Sequence, residues 1–225
     1  MKAALFGALA LLAVGVAGPV VAQDQPEVSW TVGVASDYVF RGYSQTEEGT
    51  QVFGSVDVTL GNLYAGAWVS NVDFGDSTDA EIDLYGGYRA EHQGFEVDLG
   101  VAAYFYPSQP DNAEYDFVEL KAAASRAIGP VTLGAVVYWS PNYFGEDDQA
   151  TYVEANTAFS PSPEWTVSGA VGHQALDVFG DYSTWNAGVA YALTDNVEID
   201  VRYHDTDLDD PLADSRVVGS LKFQF

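Results

Sequence analysis

Ser168 and His173 form the one nucleophile–base spacing in the chain that suggests hydrolytic chemistry. No carboxylate falls into place behind them to orient the imidazole, and ordinary polar strand residues account for both. His92 falls in a turn and His204 near a strand end, again without a nucleophile beside them. Glu96 and Asp98 could form a glycosidase-type acid pair, yet residues two apart share one face of a strand whatever their function. The run Asp205-Thr206-Asp207-Leu208-Asp209-Asp210 spaces its carboxylates as a calcium loop does, but it lacks the central glycine and the closing bidentate glutamate. The expected reading there is a solvated acidic loop, bridged to lipopolysaccharide by divalent cations. With no cysteine, thiolate metal sites, disulfides and cysteine nucleophiles are excluded. The expectation is a protein that is not an enzyme, with no catalytic residue, no metal centre and no cofactor.

The remaining charges are informative through their spacing. In Val197-Glu198-Ile199-Asp200-Val201-Arg202-Tyr203 every second residue is apolar and every residue between is charged. Phe95-Glu96-Val97-Asp98-Leu99-Gly100-Val101 repeats the pattern, and in 81–90 Ile82, Leu84, Tyr88 and Ala90 oppose Glu81, Asp83 and Arg89. A period of two is that of a strand with unlike faces. No stretch beyond the first 22 residues has the length of apolar sequence that a membrane-crossing helix needs.

Extended along the chain, the same template predicts strands over 28–41, 51–60, 63–72, 80–91, 95–106, 115–128, 131–140, 151–160, 165–174, 183–193, 197–204 and 216–225. Their connections alternate between short turns, at 61–62, 92–94, 129–130, 161–164 and 194–196, and long acidic loops, at 43–50, 73–79, 107–114, 141–150, 175–182 and 205–214. Short turns at one end and long loops at the other characterise outer-membrane barrels. A soluble sandwich would also alternate, but it has no physical reason to expose the Phe-x-Phe on which the chain closes, at Phe223 and Phe225. A last barrel strand would turn those rings to lipid, and the ending resembles the signal read by the bacterial barrel-assembly machinery. The predicted fold is therefore all-β, a closed antiparallel up-and-down transmembrane β-barrel of about 12 strands. Aromatics towards strand ends, Trp30, Tyr38, Phe40, Tyr64, Trp68, Phe105, Tyr138, Trp139, Phe159, Trp165, Trp185 and Tyr203, would form its interfacial girdles.

Met1-Lys2 followed by an apolar run to Val21, with Val20 and Ala22 at the cleavage positions, reads as a secretory signal over 1–22. Residues 23–225 would then be one barrel domain in the bacterial outer membrane. Loss of Lys2 leaves 7 basic against 33 acidic residues, moving the net charge from -25 to about -26. Such a chain is repelled by phosphate backbones, so nucleic acid is excluded as a partner. The expected partners are outer-membrane lipid and lipopolysaccharide, the barrel-assembly machinery during biogenesis, and small solutes or cations.

Ser36-Asp37-Tyr38-Val39-Phe40-Arg41-Gly42-Tyr43-Ser44-Gln45-Thr46 resembles the hallmark of the TorF-like porin family of proteobacteria. Residues 64–73 and 81–88 are similar to further stretches of that family. The resemblance implies a porin and carries no catalytic or ligand-binding residues with it. With apolar faces outward, the expected pore lining is Asp37, Arg41, Asp57, Glu81, Asp83, Arg89, Glu96, Asp98, Glu119, Lys121, Glu154, Glu198, Asp200, Arg202 and Lys222, with Arg41 its foremost basic group. Acid outnumbers base there and in the loops, and a negative mouth concentrates cations within about 8 Å at physiological salt. The expected function is passive diffusion of small hydrophilic solutes with a preference for cations. The alternative is a non-conducting structural or surface-binding barrel whose interior charges pair across strands and fill it.

Overall fold

A computed structural model describes residues 25–145, 148–177 and 180–225. The expected signal segment and Glu146-Asp147 of one acidic loop lie outside these residues. In chain order the elements are β1 (Glu27–Ala35), β2 (Val39–Phe40), β3 (Tyr43–Ser44), β4 (Gln51–Leu60), β5 (Leu63–Asn71), β6 (Ala80–His92) and β7 (Phe95–Phe105). They continue with β8 (Phe117–Ile128), β9 (Val131–Ser140), β10 (Ala150–Phe159), β11 (Trp165–Leu176), β12 (Tyr182–Thr194), β13 (Val197–Thr206) and β14 (Arg216–Gln224).

Twelve of the strands close into one antiparallel barrel, each bonded to its sequence neighbours, with β1 sealing against β14. The seal runs from Thr31 opposite Gln224 to Ala35 opposite Ser220. Beyond it, Trp30 and Phe225 exchange backbone hydrogen bonds of 3.0 and 2.9 Å. Closure leaves no unpaired strand edge, which is what a sheet in hydrocarbon requires.

The period of two decides which side chain faces where. Val28, Trp30, Val32 and Val34 stand outward on β1 and Leu99, Val101 and Phe105 on β7, all exposed, whereas Thr31, Ala35, Ala102 and Tyr104 between them are buried in the lumen. Outward rings gather at both rims: Trp30, Phe159 and Trp165 at the short-turn end, Phe105, Trp139, Trp185 and Tyr203 at the loop end. The other expected girdle residues, Tyr38, Phe40, Tyr64, Trp68 and Tyr138, have the opposite parity or lie on an inturned segment, and point inward.

Inward glycines make room for large neighbours. Tyr152 lies across Gly172 on the adjoining strand, where an added methyl would collide with the Tyr152 ring and hydroxyl. Gly172→Ala should therefore swing Tyr152 off its hydrogen bonds to Glu154 and Thr184 and cost about 1–3 kcal/mol. The urea midpoint for loss of heat-modifiable migration would report it. Gly219→Ala, with nothing within 4 Å of the new methyl, is the control expected to leave that midpoint in place.

The first predicted strand, 28–41, is corrected. It stops at Ala35, and residues after it form the separate hairpin β2–β3 rather than continuing the wall. Asp37 causes the break: its carboxylate accepts from Ser44 Oγ at 2.7 Å, Thr46 Oγ1 at 2.9 Å and Arg216 Nη1 at 2.9 Å, bonds that pull the chain off the sheet. Arg41 and Gly42 make the two-residue turn with φ of 47° and 85°, the left-handed pair that tight hairpins use. Glycine adopts that region freely, whereas Arg41 does so against its steric preference.

Candidate functional site: the barrel lumen

The hairpin folds into the barrel rather than over it. Six steps around the ring separate β1, from which it emerges, and β9. Its tip spans that distance, because Arg41 engages residues of β8, β9, β10 and β11. The guanidinium donates through Nη1 and Nη2 to both oxygens of Glu119 at 2.8 Å, and through Nη1 to Gln174 Oε1 at 3.0 Å. Its Cζ stands 4.5 Å from the Tyr152 ring centre, 5.0 Å from Tyr138 and 4.7 Å from Phe40. The side chains of Arg41 and Glu119 are 5% and 1% exposed, so solvent barely reaches the pair. Burial by itself would lower the Arg41 pKa, but the adjoining Glu119 charge more than reverses this and holds the guanidinium protonated well above its usual range.

The rest of the hairpin touches the remaining wall. Tyr38 packs on Trp68 of β5 with ring centres 5.4 Å apart and donates to Glu81 of β6 at 3.0 Å. A methyl at Gly42 would strike Thr206 of β13 and come within 3.5 Å of Thr184 of β12. Tyr43 donates to Asp210, in the connection after β13, at 2.8 Å. These contacts carry the hairpin across the loop-end half of the lumen. Rings from wall and loops thicken this layer, with Tyr104 stacked on Phe117 at 4.2 Å and Tyr115 on Phe144 at 4.5 Å.

Most of the expected pore residues fall into three groups. Asp37, Arg41, Asp83 and Glu119 lie within or beneath this layer; Asp37 and Arg41 belong to the inturned segment and not to a strand of the wall. Towards the turn end, Asp98 accepts from Arg89 Nε and Lys121 Nζ at 2.9 Å each and from Tyr64 at 2.8 Å. Glu96 stands on the same strand face, 3.5 Å from Ser125 Oγ. On the far wall Arg202 binds Asp200 at 3.0 Å, Asn186 at 2.8 Å and Ser168 at 2.9 Å, while Glu154 accepts from Tyr152 at 3.0 Å. Asp57 accepts from Tyr85, and Lys222 pairs with Glu198 at 3.3 Å.

Of the eight Lys and Arg residues, Arg41, Arg89, Lys121, Arg202, Arg216 and Lys222 all face the lumen. Arg126 lies outside against Phe95, and Lys2 is outside the described residues. Each lumen base sits on a carboxylate. Asp57, Glu81, Asp83 and Glu154 make no ion pair among the described residues; Glu81 and Asp83 are too deeply buried for both to be charged, so the excess of acid in the interior is modest and rests chiefly on Asp57 and Glu154.

The other candidate chemistries dissolve into geometry. Ser168 points inward to Arg202, whereas His173 points outward, 3.4 Å from Ser183 and 3.7 Å from Asp181. Five residues apart on one strand, the two occupy opposite faces. The carboxylates of 205–210 are spent separately: Asp205 on Tyr203, Asp207 on the Ser183 amide, Asp210 on Tyr43 and the Leu212 amide. No metal-binding cluster of three such groups occurs among the described residues.

The hairpin, and with it Gln174, Tyr138 and Tyr152 around Arg41, went unread in the sequence. One signal was available. Phe53, Trp68, Tyr104 and Phe117 have the parity of the lumen side, and inward rings of that size need something in the lumen to pack against.

A closed twelve-stranded antiparallel barrel with a charged lumen is the architecture of porin-like outer-membrane barrels. Solved structures with this fold include the KdgM porin, with a TM-score of 0.63 and 9% identity over 88% of this chain and 99% of that one. The COG4313 outer membrane channel from Pseudomonas putida F1 aligns with a TM-score of 0.56 and 10% identity over 92% and 98%, and the NanC porin with 0.55 and 9% over 88% and 98%. These neighbours are porins or channels, and at such identities the likeness speaks for the fold. No curated protein matches the sequence. The chain belongs to the family Gcw_chp, described as bacterial protein of unknown function, which matches residues 21–223.

Proposed function

We propose that this protein is an outer-membrane channel for passive diffusion of small hydrophilic solutes, with a preference for cations, and that its inturned hairpin narrows the path. The TorF-like affiliation read from residues 36–46 belongs to the same proposal, as do a location in the bacterial outer membrane, export by the 1–22 signal and contact with lipopolysaccharide. The observation that carries it is the charge balance of the lumen. The six inward bases share five carboxylates, Asp98 taking both Arg89 and Lys121, while Asp57, Glu154 and the buried pair Glu81 and Asp83, of which one at most can be charged, stand on the wall with no base on them. Fixed negative charge inside a narrow path raises the local concentration of cations and excludes anions.

In a planar bilayer under a potassium chloride gradient, the reversal potential should take the sign of potassium permeation. A chloride-directed potential would overturn the cation preference while leaving the channel reading standing. The second reading, a non-conducting barrel, is favoured by the layer of side chains around Arg41. It predicts no discrete current steps even after the hairpin is removed, which separates it from a channel that the hairpin obstructs.

A further inference from the structure

Arg41 is held in surroundings that resemble a ligand site more than a structural ion pair. We infer that the wall groups around it, Glu119, Gln174, Tyr138 and Tyr152, form a binding site for guanidinium-bearing solutes, occupied in this structure by the chain's own arginine.

The geometry is that of planar cation recognition. Glu119 accepts the guanidinium through two parallel bonds of 2.8 Å, the fork-on-fork arrangement specific to this group. Tyr104 donates to Glu119 Oε2 at 3.0 Å and so fixes the carboxylate's orientation from the neighbouring strand. Gln174 Oε1 takes a further N–H, and two wall tyrosines present ring faces at 4.5 and 5.0 Å, within the range of cation–π attraction. Apart from Phe40, these groups stand on strands β7 to β11, not on the hairpin, so the site is built whether or not the hairpin is present. Rigid strands are the scaffold on which a preformed site keeps its shape.

One further observation sets this apart from simple packing. Gln174 Nε2 is buried with no hydrogen-bond partner, in a residue with no exposed surface. An acceptor on a bound solute would satisfy it. A tethered arginine competes with free solute at an effective concentration in the millimolar range or above, which keeps the wild-type site filled.

The test is titration calorimetry in detergent micelles with argininamide as the probe, whose carbonyl supplies an acceptor beside the guanidinium, a reading of binding that does not depend on whether the barrel conducts. Arg41→Ala empties the site and should bind argininamide saturably, with a Kd on the order of 1 mM. Wild type should bind at least about tenfold more weakly, because its own arginine must first be displaced. Arg41→Ala combined with Glu119→Gln should show no saturable heat. Heat-modifiable migration reports folding of each variant; if Arg41→Ala does not fold, Arg41→Gln takes its place in the same titration. Absence of saturation in the folded, emptied barrel, or equal binding after loss of the Glu119 charge, would overturn the site.

Discussion

Replacing residues 38–45 with a short Gly-Ser link should raise single-channel conductance by about tenfold or more, since the current through a narrow path is set by its tightest section. The expectation follows from where the hairpin lies. Its contacts reach β5 and β6 through Tyr38, β8 to β11 through Arg41, and β12 and β13 through Gly42, so most of the wall at that level is engaged by it. The barrel itself does not depend on it, because β1 pairs directly with both β4 and β14. A truncated protein that keeps its heat-modifiable migration but gains no current would show that side chains of the wall, and not the hairpin, set the closure. The same recording would then favour a structural barrel over a channel.

Glu119→Gln should release the hairpin. It removes the charge that accepts both arms of a guanidinium buried to 5% exposure, and breaking such a pair on one side costs about 3–5 kcal/mol while the other charge stays buried. The protein need not bear that cost. The hairpin can leave the lumen and return Arg41 to water, so the loss is capped at the free energy of docking the hairpin and global unfolding stays nearly unchanged. Two measurements follow: trypsin should cut between Arg41 and Gly42 in the variant and not in wild type, and the open level of the current should rise. Adding Arg41→Ala to Glu119→Gln should cost little more in stability than either change alone, the signature of two coupled residues. Resistance to trypsin in Glu119→Gln, with additive effects in the double variant, would mean that Phe40 and Tyr38 hold the hairpin without the ion pair.

Much of this architecture was legible from composition and period. The twelve wall strands, their short turns and the sidedness of residues such as Val197 to Tyr203 follow from the alternation, because the pleat sends successive side chains to opposite faces. The pairs Arg89–Asp98 and Lys121–Asp98 were legible as inward charges but not as partners, since register across strands depends on turn lengths that are uncertain by a residue or two. The aromatics misled in part. Proximity to a strand end suits a girdle residue and an inward ring alike, so Trp68 and Tyr138 could be assigned by parity alone, and only once the strand boundaries were exact.

By itself the sequence determined a closed barrel with apolar faces outward and charged residues turned inward. Local pattern suffices for these because each follows from covalent geometry and the solvent preference of single residues. Only the tertiary structure decided that Ser36 to Thr46 leaves the wall and crosses the lumen. That choice rests on Arg216 reaching Asp37, Glu119 and Gln174 reaching Arg41, and Trp68 and Glu81 reaching Tyr38. Those partners lie tens to well over a hundred residues away, and ring closure is what brings them within bonding distance.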